Sequence, residues 1–386
     1  MHSRTARFPT LLGEGTMHQL VASPTTNEHV VLRPGSKKAV RIGAGRFREL
    51  QQAEDCPPWL VAISRQTWGL DLRNAHMEGT VIVRRPTPYG FVRATHEVNL
   101  GCNFDCEHCY LGLKRFEGMS WENRERTFHT LRDAGVLWLQ LTGGEPLIDR
   151  FFPEVYRLAF DLGMMLSILS NGSRLHAPAI IELLAGRRPH QITVSVYGAT
   201  AESHEGLTRR RGAFRSFING VHAALEADLP LSFSLVITHH NATELDAMKA
   251  FSDRLGVRYD VYSNMSPTIS GGAETLPSQS VGHLRERKPF TGCNAGHTFF
   301  HVDPFGKASI CKIGREPNVD LTTEGVEGLL RLNAIADGLL LRQGGCSGCG
   351  LQETCGTCMP LVRLYRKAQA PLATYCQHGN RKEVTA

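Results

Sequence analysis

The sequence predicts an α/β chain in three parts: a small α+β segment over residues 1–90, a parallel sheet with crossover helices over 91–266, and a cysteine-rich segment over 285–386. Three observations carry this reading. Between residues 97 and 262, apolar runs of strand length alternate six times with amphipathic helical stretches, a pattern that builds parallel sheets. Three cysteines crowd onto one loop directly after the first of those runs, and seven more gather after residue 290. The 386 residues are 41% hydrophobic, enough to bury the cores of two or three units.

Taken in order, residues 1 to 28 are polar and without sustained period, which predicts a loose lead-in. His29-Val30-Val31-Leu32 and Ala39-Val40-Arg41-Ile42 flank Pro34-Gly35-Ser36-Lys37-Lys38, two short strands around a turn. Helices are expected over 45–53 and 58–68, the second opened by a proline pair, and a strand over 80–83. The central strands are expected over 97–100, 136–141, 165–169, 191–196, 231–238 and 258–262. Helices between them are expected over 121–134, 151–162, 178–184, 214–227 and 244–255. Residues 270–280, rich in Gly and Ser, read as a linker.

Composition excludes several classes of function. No run approaches membrane-spanning length, and Met1-His2-Ser3-Arg4-Thr5-Ala6-Arg7-Phe8 lacks an apolar signal region, so a cytoplasmic protein with no membrane partner is expected. Eleven cysteines in such a chain argue for metal ligation over disulfides. The net charge of +6 is dispersed except for Arg209-Arg210-Arg211, which reads as a solvated run without interleaved aromatics. No nucleic acid partner is expected.

The chemistry starts at Cys102, Cys106 and Cys109, spaced C-x3-C-x2-C. Three thiolates on one loop can hold three irons of a cubane cluster and leave the fourth open. This loop resembles the cluster motif of the radical S-adenosylmethionine (SAM) superfamily. The resemblance implies a partial (β/α)6 TIM-type barrel, in which SAM chelates the open iron and is cleaved to a 5'-deoxyadenosyl radical. His108 fills the family's aromatic place before the last cysteine, and Tyr110 follows it. Gly143-Gly144-Glu145-Pro146 resembles the family's GGEP motif, which meets the SAM amino group. Glycines let the backbone approach a ligand, and a carboxylate suits an ammonium. Ser170 and Asn171 end the third central strand and Ser195 lies near the end of the fourth. By resemblance they line the ribose and carboxylate of SAM. Many relatives carry an arginine four residues after the histidine of the fourth loop. Here Thr208 follows His204 at that distance, and Arg209 is the expected substitute.

The later cysteines are Cys293, Cys311, Cys346, Cys349, Cys355, Cys358 and Cys376, with four residues between Gly306 and Cys311 in a G-x4-C arrangement. Their order resembles the SPASM extension, except that two residues separate Cys355 from Cys358 where the family has three. The resemblance implies two auxiliary [4Fe-4S] clusters beside the SAM-binding one. Cys346, Cys349, Cys355 and Cys376 would ligate the outer cluster, and Cys293, Cys311 and Cys358 the inner. No cysteine lies in 285–290, so the inner cluster would have an open iron or a ligand such as His297, His301 or Asp303. Cys56, the remaining cysteine, reads as a small core residue.

Such enzymes take electrons from a flavodoxin or ferredoxin. The SPASM extension, and a weak similarity of residues 1–90 to a winged-helix module that binds leader peptides, imply a ribosomally made precursor peptide as substrate, crosslinked or oxidised by radical chemistry. Alternatives are a dehydrogenase or epimerase acting on a small metabolite, such as an aminoglycoside or amino acid, and a non-catalytic zinc protein, since paired cysteines also bind zinc. Sulfatase maturation is disfavoured, because those relatives carry an aspartate where this chain has Lys312. No catalytic acid or base is singled out.

Overall fold

The computed structural model describes residues 17–25, 27–112, 115–285, 287–340 and 349–376. These fall into two compact units, one ending at Pro86 and the other starting at Thr87.

In the first unit, β1 (Leu20–Pro24), β2 (His29–Leu32), β3 (Ala39–Ile42) and β4 (Val81–Val83) form a sheet of order β3-β2-β1-β4. The helices α1 (Ala44–Gln52) and α2 (Pro58–Trp68) supply Phe47, Leu50 and Leu60 to a core with Leu20, Val31 and Ile42. Pro58 starts α2 where no helical N–H is lost, and Gly69, at φ 66°, ends it. Cys56 packs against this core. The expected lead-in is corrected here: Leu20–Pro24 is an inner strand, antiparallel to β2 and parallel to β4. Its five residues show no alternation because both faces are covered, so the pattern that betrays a half-exposed strand is missing.

The second unit contains the expected alternation. It runs β5 (Arg93–Glu97), α3 (Trp121–Asp133), β6 (Trp138–Thr142), α4 (Phe152–Asp161), β7 (Met165–Ser170), α5 (Pro178–Gly186) and β8 (Gln191–Val196). Two helices, α6 (Ala201–Thr208) and α7 (Ala213–Glu226), lead to β9 (Leu231–Val236), then α8 (Leu245–Arg254) and β10 (Tyr259–Tyr262). Strands β5 to β10 lie in sequence order, every neighbouring pair parallel. This is the six-stranded (β/α) arrangement the sequence predicts, open rather than closed among the described residues. Apolar residues of these strands, such as Leu139, Ile168, Val194 and Phe233, meet Phe128, Val155, Leu184 and Phe217 of the helices in one buried core.

The sheet does not stop at residue 266. β11 (Phe299–Val302) pairs in parallel with β5, and β12 (Lys307–Ser309) and β13 (Val319–Asp320) follow antiparallel. The expected linker over 270–280 is a packed segment: Thr275 and Ser278 are buried, Thr275 Oγ1 donates to Ser266 O, and Gln279 bridges Thr238. Its Gly and Ser serve tight turns, which composition alone does not distinguish from a solvated tether. Four helices complete the unit: α9 (Leu321–Gly328), α10 (Arg331–Leu340), α11 (Met359–Lys367) and α12 (Leu372–Tyr375). No helix among the described residues is long and apolar enough to cross a membrane.

Candidate active site at the carboxyl ends of the strands

In parallel α/β sheets, ligand-binding groups collect where strands run out into loops at their carboxyl ends. Here the loops after β5, β6, β7 and β8 enclose a cavity of about 140 Å³. Its wall includes Cys102, Cys106, His108, Cys109, Tyr110, Gly143, Gly144, Ser170, Asn171 and Ser195, all expected from the sequence. Thr142, Leu169, Phe104, Leu111 and Tyr197 complete it.

The cysteine loop is held from several sides. Phe104 N donates to Cys102 Sγ at 3.4 Å and the Asn171 amide approaches the same sulfur at 3.8 Å. Donors around a sulfur suit a thiolate. Asn171 Nδ2 also donates to Asn103 Oδ1, and Asn103 Nδ2 to Ser173 Oγ, so the loop after β5 is tied to the loop after β7. Backbone hydrogen bonds from Asp105 and Glu107 to Thr208 and Leu207 fix it to the end of α6. Phe104, packed with Tyr197, Leu207 and Ala213, plugs the loop into an apolar cluster that Cys102 and Cys106 border.

The Gly-Gly-Glu-Pro stretch differs from its expected role. A Cβ on Gly143 would lie 2.3 Å from Asn99 O, and one on Gly144 would lie 2.1 Å from Gly101 O. The glycines are needed because the strand ends pack backbone to backbone: Gly144 N donates to Asn99 O and Glu145 N to Gly101 O. Glu145 is fully buried and does not line the cavity. Its Oε1 accepts from Ser170 Oγ at 2.8 Å and Leu147 N at 3.0 Å, and its Oε2 from Asn171 N at 2.7 Å. Burial lifts its carboxyl to about 7 against the pull of those donors. Glu145 thus clamps the end of β7 and, through Asn171, the cysteine loop. Pro146 starts the short turn that follows and is buried as well.

Arg209 is not brought to the cavity. It is exposed, in the left-handed conformation at φ 51° that ends α6, while Thr208 turns back to donate to His204 O. His204 is sealed among Phe104, Tyr197, Phe214 and Phe217, and burial brings its pKa down to about 4. It is a packing residue.

Beside the cavity lies a buried charge cluster that no sequence motif marks. Arg315 forks onto Glu97, with Nη1 to Oε2 at 2.9 Å and Nη2 to Oε1 at 2.7 Å, and Tyr110 donates to Oε1 at 3.1 Å. Burial works against ionisation of Glu97, but His301 at 3.6 Å and the Arg315 fork hold it at about 2. Lys312 sits 5.0 Å above the Tyr110 ring. The 218 residues between Glu97 and Arg315 hide this pair from any local pattern. The only signal was an acid at the end of a strand that should be buried.

Among the later cysteines, Cys346 lies outside the described residues. Gly314 N donates to Cys311 Sγ at 3.1 Å, and Leu351 N to Cys349 Sγ at 3.4 Å. Burial raises the Cys311 thiol, and the nearby Cys293 adds to it. Cys358 precedes α11 and Cys376 ends α12. Cys355 is tied in by its carbonyl, which accepts from Phe290 N. None of these described cysteines is in a disulfide. Gly306, at φ 83°, is required by a turn and by Met119 and Thr322 beside it. The alternative ligands for the inner cluster are engaged elsewhere: His301 with Thr95, His297 with Asp337, and Asp303 with Phe305 N and Lys307 N.

The donor set fits an iron-sulfur cluster: three sulfurs around one cavity, a backbone and a side-chain donor on the Cys102 sulfur, and an aromatic wall against water. Comparison with known proteins agrees. A model of the family described as "Radical SAM superfamily" matches residues 97–251. The chain is 28% identical over 170 residues to the AdoMet-dependent heme synthase of Methanosarcina barkeri, covering 43% of this chain and 48% of that protein. It is 27% identical over 312 residues to the mycofactocin maturase MftC of Mycobacterium ulcerans, covering 69% and 82%. The crystal structure of Streptococcus suis SuiB bound to precursor peptide SuiA superposes with a TM-score of 0.52 at 12% identity, over 88% of this chain and 93% of that one. At that identity the likeness is one of fold.

Proposed function

Since the chain belongs to the radical SAM superfamily through residues 97–251, we propose that it modifies a ribosomally made precursor peptide by radical chemistry. The observation that carries the proposal is the single cavity bounded by three cysteines, the Gly143-Gly144 backbone and the ends of β7 and β8. Bound there, a four-iron cluster and SAM would supply a 5'-deoxyadenosyl radical able to take hydrogen from an unactivated carbon.

The chain's own residues bind, orient and exclude water. Cys102, Cys106 and Cys109 would hold three irons of the cluster. Ser170, Asn171 and Ser195 offer short hydrogen-bonding side chains along the cavity wall, and Gly143 and Gly144 offer backbone. His108 and Tyr197, with ring centroids 5.3 Å apart, and Tyr110 supply an apolar wall. Glu145 and Asn171 act as positioning residues for the cysteine loop.

We further propose an oxidative outcome and a peptide guest. Seven later cysteines fit two auxiliary clusters, with Cys346, Cys349, Cys355 and Cys376 on the outer and Cys293, Cys311 and Cys358 on the inner. Such clusters can accept an electron from a substrate radical, which suits a thioether, a carbon-carbon crosslink or a dehydrogenated centre. The engagement of His297, His301 and Asp303 elsewhere favours an open iron on the inner cluster. A flavodoxin or ferredoxin would deliver the first electron. In the N-terminal unit, β3 has one strand neighbour among the described residues, so its outer edge can take an added strand from a leader peptide. The names of MftC as a maturase and of SuiB with a precursor peptide point the same way.

The test is anaerobic incubation with SAM, a reductant and the peptide encoded beside this chain's own reading frame. Release of 5'-deoxyadenosine with a mass change in the peptide supports the proposal. Nucleoside release with no change in any peptide, and turnover of an amino acid or sugar instead, would favour the small-metabolite reading. Removal of residues 1–86 should abolish peptide binding and leave nucleoside release intact.

A further inference from the structure

Outside the cysteine-lined cavity, Glu107, His239 and His240 bring one carboxylate oxygen and two imidazole nitrogens within 4.8 Å of one another. Glu107 lies on the cysteine loop between Cys106 and Cys109, and the histidines follow the carboxyl end of β9. His240 Nε2 is 2.7 Å from Glu107 Oε2, and His239 Nε2 is 3.8 Å from the same oxygen. We propose that these three residues bind a divalent ion of the zinc class, held apart from the iron-sulfur ligands.

His239 is the residue that points to an ion. Its Nδ1 is 3.1 Å from Pro277 O, and a carbonyl only accepts, so Nδ1 carries the hydrogen. In the neutral ring Nε2 then presents a lone pair, and it faces the lone pairs of a carboxylate. Two acceptors facing each other at 3.8 Å leave room for a cation between them. Zinc bonds of about 2.0–2.2 Å to nitrogen and oxygen put tetrahedral ligand atoms about 3.4 Å apart, near the 3.8 Å between His239 Nε2 and Glu107 Oε2. The 2.7 Å between His240 Nε2 and that oxygen is a hydrogen bond, which the ion would replace as His240 gives up its Nε2 hydrogen and moves back by about 0.7 Å. A backbone carbonyl on the other ring nitrogen is the usual partner of a metal-bound histidine, fixing tautomer and ring orientation.

Both sides of the site are anchored. Glu107 N donates to Leu207 O; His239 N donates to Ser278 O and His240 N to Thr238 Oγ1. His239 is 46% exposed, which leaves the ion a route in and an open position for water or a substrate group. The ligands are imidazole and carboxylate without thiolate, a set that takes zinc, cobalt or manganese and does not hold an iron-sulfur cluster. A bound ion would cross-link the cysteine loop to the end of β9.

The test uses the full-length protein with its clusters loaded, so that thiols are occupied, after dialysis against a mild chelator. Titration with zinc chloride by calorimetry should show one site per chain, weakened at least 100-fold in the H239N/H240N double variant at equal iron content. X-ray absorption at the zinc edge of the wild type gives a reading that does not depend on how the variant folds. A shell of nitrogen and oxygen at about 2.0–2.1 Å supports the site. A sulfur shell at about 2.3 Å, equal zinc binding in the double variant, or no zinc binding in the wild type would overturn it, the last leaving Glu107 and the histidines as an ion pair only.

Discussion

Gly144→Ala would drive a methyl group into the backbone that carries the cysteine loop. The new Cβ would lie 2.1 Å from Gly101 O, 2.5 Å from Gly101 C and 2.7 Å from Leu100 O. All three are backbone atoms, so no side chain can rotate away. The segment leading to Cys102 must retreat by about 1 Å or the end of β6 must shift, at a cost of about 1–3 kcal/mol. That corresponds to roughly 5- to 150-fold in any equilibrium that needs the native loop, and cluster loading is one. Iron analysis of anaerobically purified protein is the assay. Wild type should carry about twelve irons per chain for three four-iron clusters, and G144A should lose about four while keeping the auxiliary ones. The opposite pattern, with full iron and a weakened response to SAM, would refute the reasoning and make the ligand, not the cysteine loop, what the missing Cβ of Gly144 leaves room for.

Three further expectations follow from the same geometry. Arg315→Met leaves Glu97 buried without its guanidinium and should cost about 3–5 kcal/mol, read as a lower apparent Tm; adding Glu97→Leu should recover most of it, and no recovery would mean the pair is not the cause. Acid should destabilise the protein by a predictable route. Glu97, held at about 2, contributes stability that is complete above its unfolded value of 4.5 and is lost as pH falls toward 2. His96, lowered to about 3 chiefly by burial, and His204, lowered to about 4, are stable as neutral rings above 6.5, and that contribution is lost as pH falls below it. Each shift is worth about 3 kcal/mol or more. His204→Phe should flatten the pH dependence of Tm between 6.5 and 4, and an unchanged slope would count against it. Arg209→Ala should alter SAM affinity by less than about twofold, since the side chain is exposed and away from the cavity. A tenfold loss would put that guanidinium over the SAM carboxylate.

Much of the barrel was legible because parallel strands and their crossover helices write their periods locally. The expected and observed bounds of α2 and β8 coincide. The cysteine loop was legible because its chemistry lies within eight residues. What stayed hidden depends on distant partners. β1 is covered on both faces and so lacks alternation, and β11 is a strand only because β5, about 200 residues earlier, offers a parallel edge. Glu145 shows the limit for site residues. Its type and place pointed to an ammonium ligand, yet its carboxylate is consumed by Ser170, Asn171 and Leu147, because the strand after its own ends within hydrogen-bonding reach. Arg209 failed for a related reason: adjacency in sequence says nothing about direction once a residue takes a left-handed helix end.

The central claim is that Cys102, Cys106 and Cys109 hold a cluster with one iron open to the cavity where SAM binds. The most direct measurement is the electron paramagnetic resonance spectrum of the reduced, oxygen-free protein with and without SAM. The account predicts that SAM shifts the signal of one cluster in the wild type, and that both signal and shift vanish when the three cysteines are replaced by alanine while the auxiliary signals persist. A spectrum that SAM leaves unchanged would contradict it.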